Sequence, residues 1–294
     1  MRIAFIGLGE AAGAFITGWG ADRASDIAAF DIKTTVPETA PEISQRAKAF
    51  GITHCIMLQD AVSDADVVFS TVTADQAITA ARAAAPLMKQ GAYFLDMNSC
   101  APSSKQVSAG IMAEHNRRYM DVAVMEPVYP KQLDVPLLIS GDWSHDVSEL
   151  LSNLSLTYRI IEGSVGRASS IKMVRSIMVK GLEALTAECA LAAHAADVVD
   201  EVFPSLRDGH PKIDVEQRAT YNLERSMTHG VRRAAEMDEV AQMVADLGLP
   251  NDLSQGSAHW QRIIAGNTVD RTASKQDRDL QSLVDELLPR IRDN

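Results

Sequence analysis

The sequence predicts an α/β domain with a mostly parallel, doubly wound sheet, followed by an all-α domain built on a long helix, and three observations carry that prediction. Short apolar runs alternate with helical patterns through the first half, a glycine-rich turn follows the first run, and no strand pattern recurs after Gly166. At 294 residues the chain has room for two cores. Hydrophobic residues make up 46% and charged residues 23%, as in folded globular proteins, and no repeat or low-complexity segment interrupts the chain.

The first run, Ile3-Ala4-Phe5-Ile6, has the continuous apolar character of a parallel strand covered on both faces. Gly7-Leu8-Gly9-Glu10-Ala11-Ala12 follows directly. Gly7 permits a tight turn, Gly9 lets the backbone approach a pyrophosphate, and Ala12 is small where the next helix must pack on the strand. That helix carries Phe15, Ile16 and Trp19 on its apolar face, and its first N–H groups are donors to an anion. Ile27–Phe30 reads as the second strand and ends at Asp31, which completes the opening of a dinucleotide-binding βαβ unit. An acidic residue at this distance binds a ribose hydroxyl and repels a 2′-phosphate, so Asp31 points to NAD; Lys33 keeps NADP open.

Residues 37–41 read as a loop and 42–50 as a short helix closed by Gly51. Strands are expected over 66–70, 92–96, 119–124, 137–140 and 159–161, with a helix over 74–85 and another capped by Pro102-Ser103-Ser104. Ligands of doubly wound sheets bind beyond the carboxyl ends of the strands. Thr71-Val72-Thr73 and Asn98-Ser99 are therefore cofactor-loop candidates, with Ser99 also available to a substrate. A boundary is expected at 163–166, giving a dinucleotide-binding Rossmann domain over 1–163 and a helical substrate and dimerisation domain over 164–294. Residues 171–199 hold one glycine and no proline and predict a domain-spanning helix, followed by helices near 215–247 and 276–291.

The net charge of −11 argues against nucleic-acid and anionic-membrane partners. Cys55, Cys100 and Cys189 are far apart and odd in number, which gives neither a disulfide framework nor the spacing of a metal or redox site, so no metal is expected. The N-terminal apolar run is too short for a signal peptide or a membrane span, and a cytoplasmic protein is the expectation.

Taken in order, three motifs resemble the β-hydroxyacid dehydrogenase family, which includes hydroxyisobutyrate and phosphogluconate dehydrogenases. They are Gly7-Leu8-Gly9 at the N-terminus, Asp96-Met97-Asn98-Ser99-Cys100-Ala101-Pro102, similar to the family's loop beside the nicotinamide, and Ser170-Ile171-Lys172-Met173-Val174-Arg175-Ser176, similar to the segment around its catalytic lysine. The C-terminal half looks like the domain of unknown function attached to phosphogluconate-dehydrogenase-like proteins. The resemblance implies a hydride transfer between NAD(P) and a hydroxy acid or related secondary alcohol, with Lys172 as general acid/base. Such a base takes the hydroxyl proton as the hydride leaves, and a lysine desolvated between domains has its pKa lowered toward the range where this works. On the residues alone a solvated helix lysine is the simpler reading of Lys172.

The chain departs from the family at the substrate end. Ser176 stands where the family usually has asparagine, and Met125-Glu126-Pro127 replaces the usual Ser-Gly-Gly that holds a substrate carboxylate. Pro127 lacks an N–H and Glu126 repels an anion, so an imine reductase and a non-catalytic nucleotide-binding sensor are the alternatives. Arg218, Asn222, Arg225, His229, Arg232 and Glu236 share one helix face, ordinarily a solvated one. In related enzymes a Lys-Asp pair from this region reaches substrate. Here it maps to Ala235-Glu236, which nominates Glu236, with His229, for the substrate pocket. Val174, Ile177, Met178, Leu182, Leu185, Ala192 and Ala196 give the long helix apolar surface on more than one side, and a homodimer is expected.

Overall fold

The computed structural model describes residues 1–24, 26–209, 215–267 and 279–292. The chain divides into two compact units, Met1–Met173 and Val174–Asn294.

In the first unit the chain runs β1 (Ile3–Ile6), α1 (Glu10–Trp19), α2 (Ala21–Ala24), β2 (Ile27–Phe30), α3 (Ala40–Phe50), β3 (Thr53–His54), α4 (Leu58–Val62) and β4 (Val67–Ser70). It continues through α5 (Ala77–Ala84), β5 (Tyr93–Asp96), α6 (Pro102–Glu114), β6 (Arg118–Val124), β7 (Leu137–Ser140), α7 (Ser148–Asn153) and β8 (Tyr158–Ile160) to the start of α8 (Arg167–Ala195). The strands form one eight-stranded sheet in the order β3-β2-β1-β4-β5-β6-β7-β8. All neighbours are parallel except β6 and β7, where Asp121 faces Ser140 across an antiparallel pair.

Strand alternation sends Ile3, Phe5, Phe69 and Leu95 to one face and Ala4, Ile6, Val68 and Phe94 to the other, so a separate apolar cluster covers each side. This is why the strands read as continuous apolar runs. Phe5 and Phe69 stack at 5.1 Å between centroids and hold β1 against β4 from the helix side.

Several expectations need correction. Pro41 belongs to the first turn of α3, where its missing N–H removes no helical bond. The short elements β3 and α4 fall in a stretch without a pattern of its own. The helix expected over 74–85 begins as a 3-10 turn, Ala74–Gln76, before α5. The cap of α6 is Ala101, with no side-chain cap bond, and Pro102 opens the helix.

The helix expected over 171–199 starts earlier and stops sooner. Asp197 adopts φ 56, a left-handed conformation that ends α8 before Val199. The division between the units falls inside α8 because its first turns are held by the sheet: Ala168 packs with Ala123, Leu138 and Ile161.

The second unit is helical, with the rest of α8 followed by α9 (Val199–Gly209), α10 (Val215–Asp246), α11 (Asp252–Gly266) and α12 (Leu280–Arg292). Residues 276–278 of the expected last helix lie outside the described residues. Helix α11 has too many small polar positions, Ser254, Gly256 and Ser257 among them, to stand out by apolar period. Gly230 lets α10 and α11 approach closely, since a Cβ there would lie 2.5 Å from the Gln261 carbonyl oxygen. Leu191, Phe203, Leu223, Ile264 and Leu287 lie in the core of this unit. No helix among the described residues is long and apolar enough to cross a membrane.

Candidate active site

The glycine turn sits between β1 and α1, closed from two sides. Gly7 has φ 91, and a Cβ on it would lie 2.6 Å from the Thr71 carbonyl oxygen, so both conformation and space require glycine. Thr71 donates its N–H to the Ile6 carbonyl at 2.9 Å and its hydroxyl to the Gly7 carbonyl at 2.8 Å. Asp31 braces the other side: one carboxylate oxygen accepts the Leu8 N–H at 2.8 Å and the other accepts the Lys33 N–H at 2.9 Å. Arg46 of α3 adds a bond to the Leu8 carbonyl at 2.6 Å.

By contrast, a Cβ on Gly9 would meet nothing within 4 Å. Gly9 also caps α1 without a side-chain bond, and Ala12 is fully buried behind it. Bare helix N–H groups beside open space above a rigid turn suit a pyrophosphate. Glu10 is exposed and Ala11 half-buried in the first turn. Asp31 keeps acceptor capacity for a ribose hydroxyl, because each carboxylate oxygen takes more than one donor.

At the end of β5 the structure brings together Ser99 and Lys172, whose ammonium donates to the Ser99 hydroxyl. Both are half-buried. Asn98, just before, donates its side-chain amide to Asp96 Oδ1 at 2.8 Å and to Ser70 Oγ at 2.9 Å. Its carbonyl Oδ1 is buried with no hydrogen-bond partner. An orphaned acceptor in this loop and the open cradle at Gly9 are what a nicotinamide dinucleotide would need, and the residues present fit that group.

Beneath the loop lies a charged cluster that the sequence analysis missed. Lys105 of α6, fully buried, donates to the Asp96 carbonyl at 2.7 Å and lies 2.9 Å from Asp96 Oδ1 and 3.6 Å from Asp121 Oδ1. Burial works against its charge, yet the carboxylates beside it more than reverse this and raise its pKa. Tyr119 donates to Asp96 Oδ2 at 2.7 Å, and burial, then the Asp96 charge, push its phenol well above the ordinary value. Asp121 holds the start of α8 by accepting the N–H groups of Gly166 at 3.1 Å and Ser169 at 3.0 Å and the Ser169 hydroxyl at 2.6 Å. One cluster thus anchors both the loop bearing Ser99 and the helix bearing Lys172.

The remaining candidates are placed less tightly. Val72 lies under Gly7 and Thr73 is exposed. In the loop after β6, Met125 donates its N–H to the Pro136 carbonyl, Pro127 is exposed, and Glu126 pairs with Lys131 at 2.6 Å. Lys131 beside it offsets part of the Glu126 charge that would repel an anion.

In the second unit the polar face of α10 is solvated only in part: Arg218 and Arg232 are exposed and Arg225 is half-buried. Asn222 is only 2% exposed, and Glu236 is half-buried and paired with Lys180 of α8 at 2.7 Å. Ser176, buried, lies 3.5 Å from the same ammonium. Burial lowers the Lys180 pKa in spite of Glu236, with Arg233 and Arg232 acting in the same direction. His229 is half-buried two turns before Glu236. Lys180 was missed, although its spacing from Ser176 on one helix was the signal that could have found it.

Comparison with known proteins gives these geometries a family. Residues 2–126 match the NAD binding domain of 6-phosphogluconate dehydrogenase, and residues 193–264 match a domain of unknown function, DUF1932. A conserved hypothetical protein from Sinorhizobium meliloti is 32% identical, with 99% of this chain and 96% of that one covered at a TM-score of 0.74. An uncharacterised 28.5 kDa protein of Methanothermus fervidus is 25% identical over 83% of this chain and 91% of its own length. The 3-hydroxyisobutyrate dehydrogenase of Mycobacterium tuberculosis shares the fold at a TM-score of 0.67, with 17% identity over 97% of this chain and 99% of that one. The chain belongs with the Sinorhizobium meliloti protein in a family whose members join an NAD binding domain of the 6-phosphogluconate dehydrogenase type to a DUF1932 domain.

Proposed function

We propose that this protein is an NAD(P)-dependent oxidoreductase that moves a hydride between the nicotinamide and a hydroxy acid or related secondary alcohol, with Lys172 as general acid/base. The observation that carries the reading is the contact between the Lys172 ammonium and the Ser99 hydroxyl at the carboxyl end of β5. The nicotinamide, when bound, accepts or returns the hydride. Lys172 in its neutral form takes the proton of the substrate hydroxyl and in its charged form returns it to a carbonyl oxygen. Ser99 orients that nitrogen by accepting from it, and Asp121 fixes the helix turn on which it stands. Ser176, His229 and Glu236 are the proposed substrate contacts, together with Met125, Glu126 and Pro127. Asp31, followed by the uncharged Ile32, favours NAD.

A substrate screen that follows the absorbance of the reduced nicotinamide, with hydroxy acids, keto acids and imines as arms, tests this reading. Turnover of imines alone would move the assignment to an imine reductase, which the loss of the carboxylate-holding Ser-Gly-Gly segment favours. No turnover in any arm, with dinucleotide bound, would leave a nucleotide sensor. Lys172→Ala is expected to lower kcat by about 10²- to 10⁴-fold with dinucleotide affinity unchanged. Undiminished turnover would show that Lys172 is not the base.

The protein is proposed to be a homodimer. Val174, Met178, Leu182 and Leu185 of α8 form a stripe at helical spacing and are 56%, 66%, 43% and 64% exposed. Light scattering is expected to give twice the chain's 31.8 kDa, and a monomer mass would reject the pairing.

A further inference from the structure

We infer that Asn98 presents its side-chain carbonyl as the acceptor for the N–H of the nicotinamide carboxamide, and that Lys105 sets this polarity through Asp96. The inference rests on the dinucleotide reading of the loop and goes beyond it by naming the atom and the device that aims it. Asn98 is 5% exposed, its amide nitrogen has acceptors in Asp96 Oδ1 and Ser70 Oγ, and its Oδ1 has no partner. A primary amide offers two N–H donors and one carbonyl, so both donors are used and only the acceptor is left over.

Asp96 fixes which way the amide faces. Its Oδ1 lies 2.9 Å from the Lys105 ammonium and accepts the Asn98 backbone N–H at 3.0 Å, while its Oδ2 accepts from Tyr119 at 2.7 Å. A carboxylate held by a buried ammonium accepts only. Turning the amide over would set its carbonyl against that carboxylate and forfeit the bond to it. The buried oxygen is therefore held unsatisfied in the free protein, and an incoming donor recovers the lost hydrogen bond.

The donor follows from the position. Asn98 adjoins Ser99, which touches Lys172, at the sheet edge where the hydride acceptor belongs. The nicotinamide ring itself carries no N–H or O–H; its carboxamide does. A ribose hydroxyl is the competing donor, and the two are separable. In the 3-acetylpyridine analogue of NAD a methyl group replaces the carboxamide nitrogen and the ribose is unchanged.

The test is calorimetric titration with NAD and with the 3-acetylpyridine analogue, without substrate. The wild type is expected to bind NAD about tenfold more tightly, the loss of one hydrogen bond to an otherwise orphaned acceptor. In Lys105→Met, where Asp96 Oδ1 loses the ammonium beside it and the amide is free to invert, the difference is expected to shrink to about twofold or less. Ser70→Ala removes only one of the two amide acceptors and decides the matter if Lys105→Met does not fold; it is expected to narrow the difference part way. Equal affinity of the wild type for both compounds would overturn the assignment and leave the dinucleotide reading intact. Binding of neither would overturn both, and an undiminished difference in the folded variants would remove Lys105 and Asp96 from the account.

Discussion

Both units bury charge, and they do so in opposite ways. In the first, Lys105, Asp96 and Asp121 are wholly inaccessible, and backbone groups carry much of the load: the Asp96 carbonyl and the N–H groups of Asn98, Gly166 and Ser169. In the second, Arg233 pairs with Glu183 and Lys180 with Glu236 through side chains alone, and Arg233 Nε and Gln261 Oε1 are left buried without partners. The loop after β5 and the first turn of α8 have backbone groups to spare at fixed positions, whereas a helix interior has already used its own internally. Such backbone groups can therefore hold a charged cluster in one geometry, while a helical interior must build its own network from flexible arms; each still leaves a buried polar atom without a partner, Asn98 Oδ1 in the first unit and Arg233 Nε in the second.

The largest expected effect falls on the first cluster. Asp121→Ala strips the acceptor from Gly166, Ser169 and Ser140 and leaves Lys105 undercompensated, which is expected to cost about 3–5 kcal/mol. Urea unfolding measures it, and a loss below about 1 kcal/mol would deny that the sheet-edge cluster is the more tightly built of the two.

Alkaline pH separates the two lysines by sign. The Lys105 pKa is raised in the folded protein, so its contribution is complete below the unfolded value of about 10.4 and is lost as pH rises through the folded value. The Lys180 pKa is lowered, so the unfolded chain binds more protons between the two values and stability rises with pH toward about 10.4. Unfolding of the wild type relative to Lys105→Met and to Lys180→Met, followed from pH 8 upward, reads both slopes. Slopes of the same sign would erase the contrast.

The smallest effect is expected where both members of the closest helical pair are exchanged. Glu183→Leu with Arg233→Met should stand within about 2 kcal/mol of the wild type, because it removes the unsatisfied Nε along with the charges, offset by the loss of Glu183 to Arg225 and to the buried Gln261 amide. Glu183→Leu alone strands an arginine and should cost about 3 kcal/mol. A double variant as unstable as the single one would mean that the helical network is as indispensable as the sheet-edge one.

The same contrast governs what the sequence discloses. The glycine turn is legible because Gly7, Gly9 and Ala12 act through backbone conformation and near neighbours, and the strands because both faces of each are covered. Lys105 is not legible: in a helix beginning Pro-Ser-Ser-Lys-Gln it looks like any solvated lysine, and only β5 and β6, folded beside it, bury it. Asn222 and Glu236 mislead for the same reason. Their spacing sets them on a polar face, but nothing in the spacing says that Lys180 of α8 comes to meet Glu236. The orphaned Oδ1 of Asn98 is a property of three side chains together and exists in no single segment.

The central place of β1 has a consequence for how the chain is made. Strand β1 is made before both of its neighbours and lies between β2 and β4, with Ile3 beside both Ile27 and Val67. Thr71 then closes the turn that follows it. A ribosome that has delivered the whole glycine motif has therefore not yet delivered a binding loop, and Ile3–Ile6 must wait with one edge open until β4 emerges. The dinucleotide can stabilise the finished sheet by binding to it, but it cannot serve as a template for the first half.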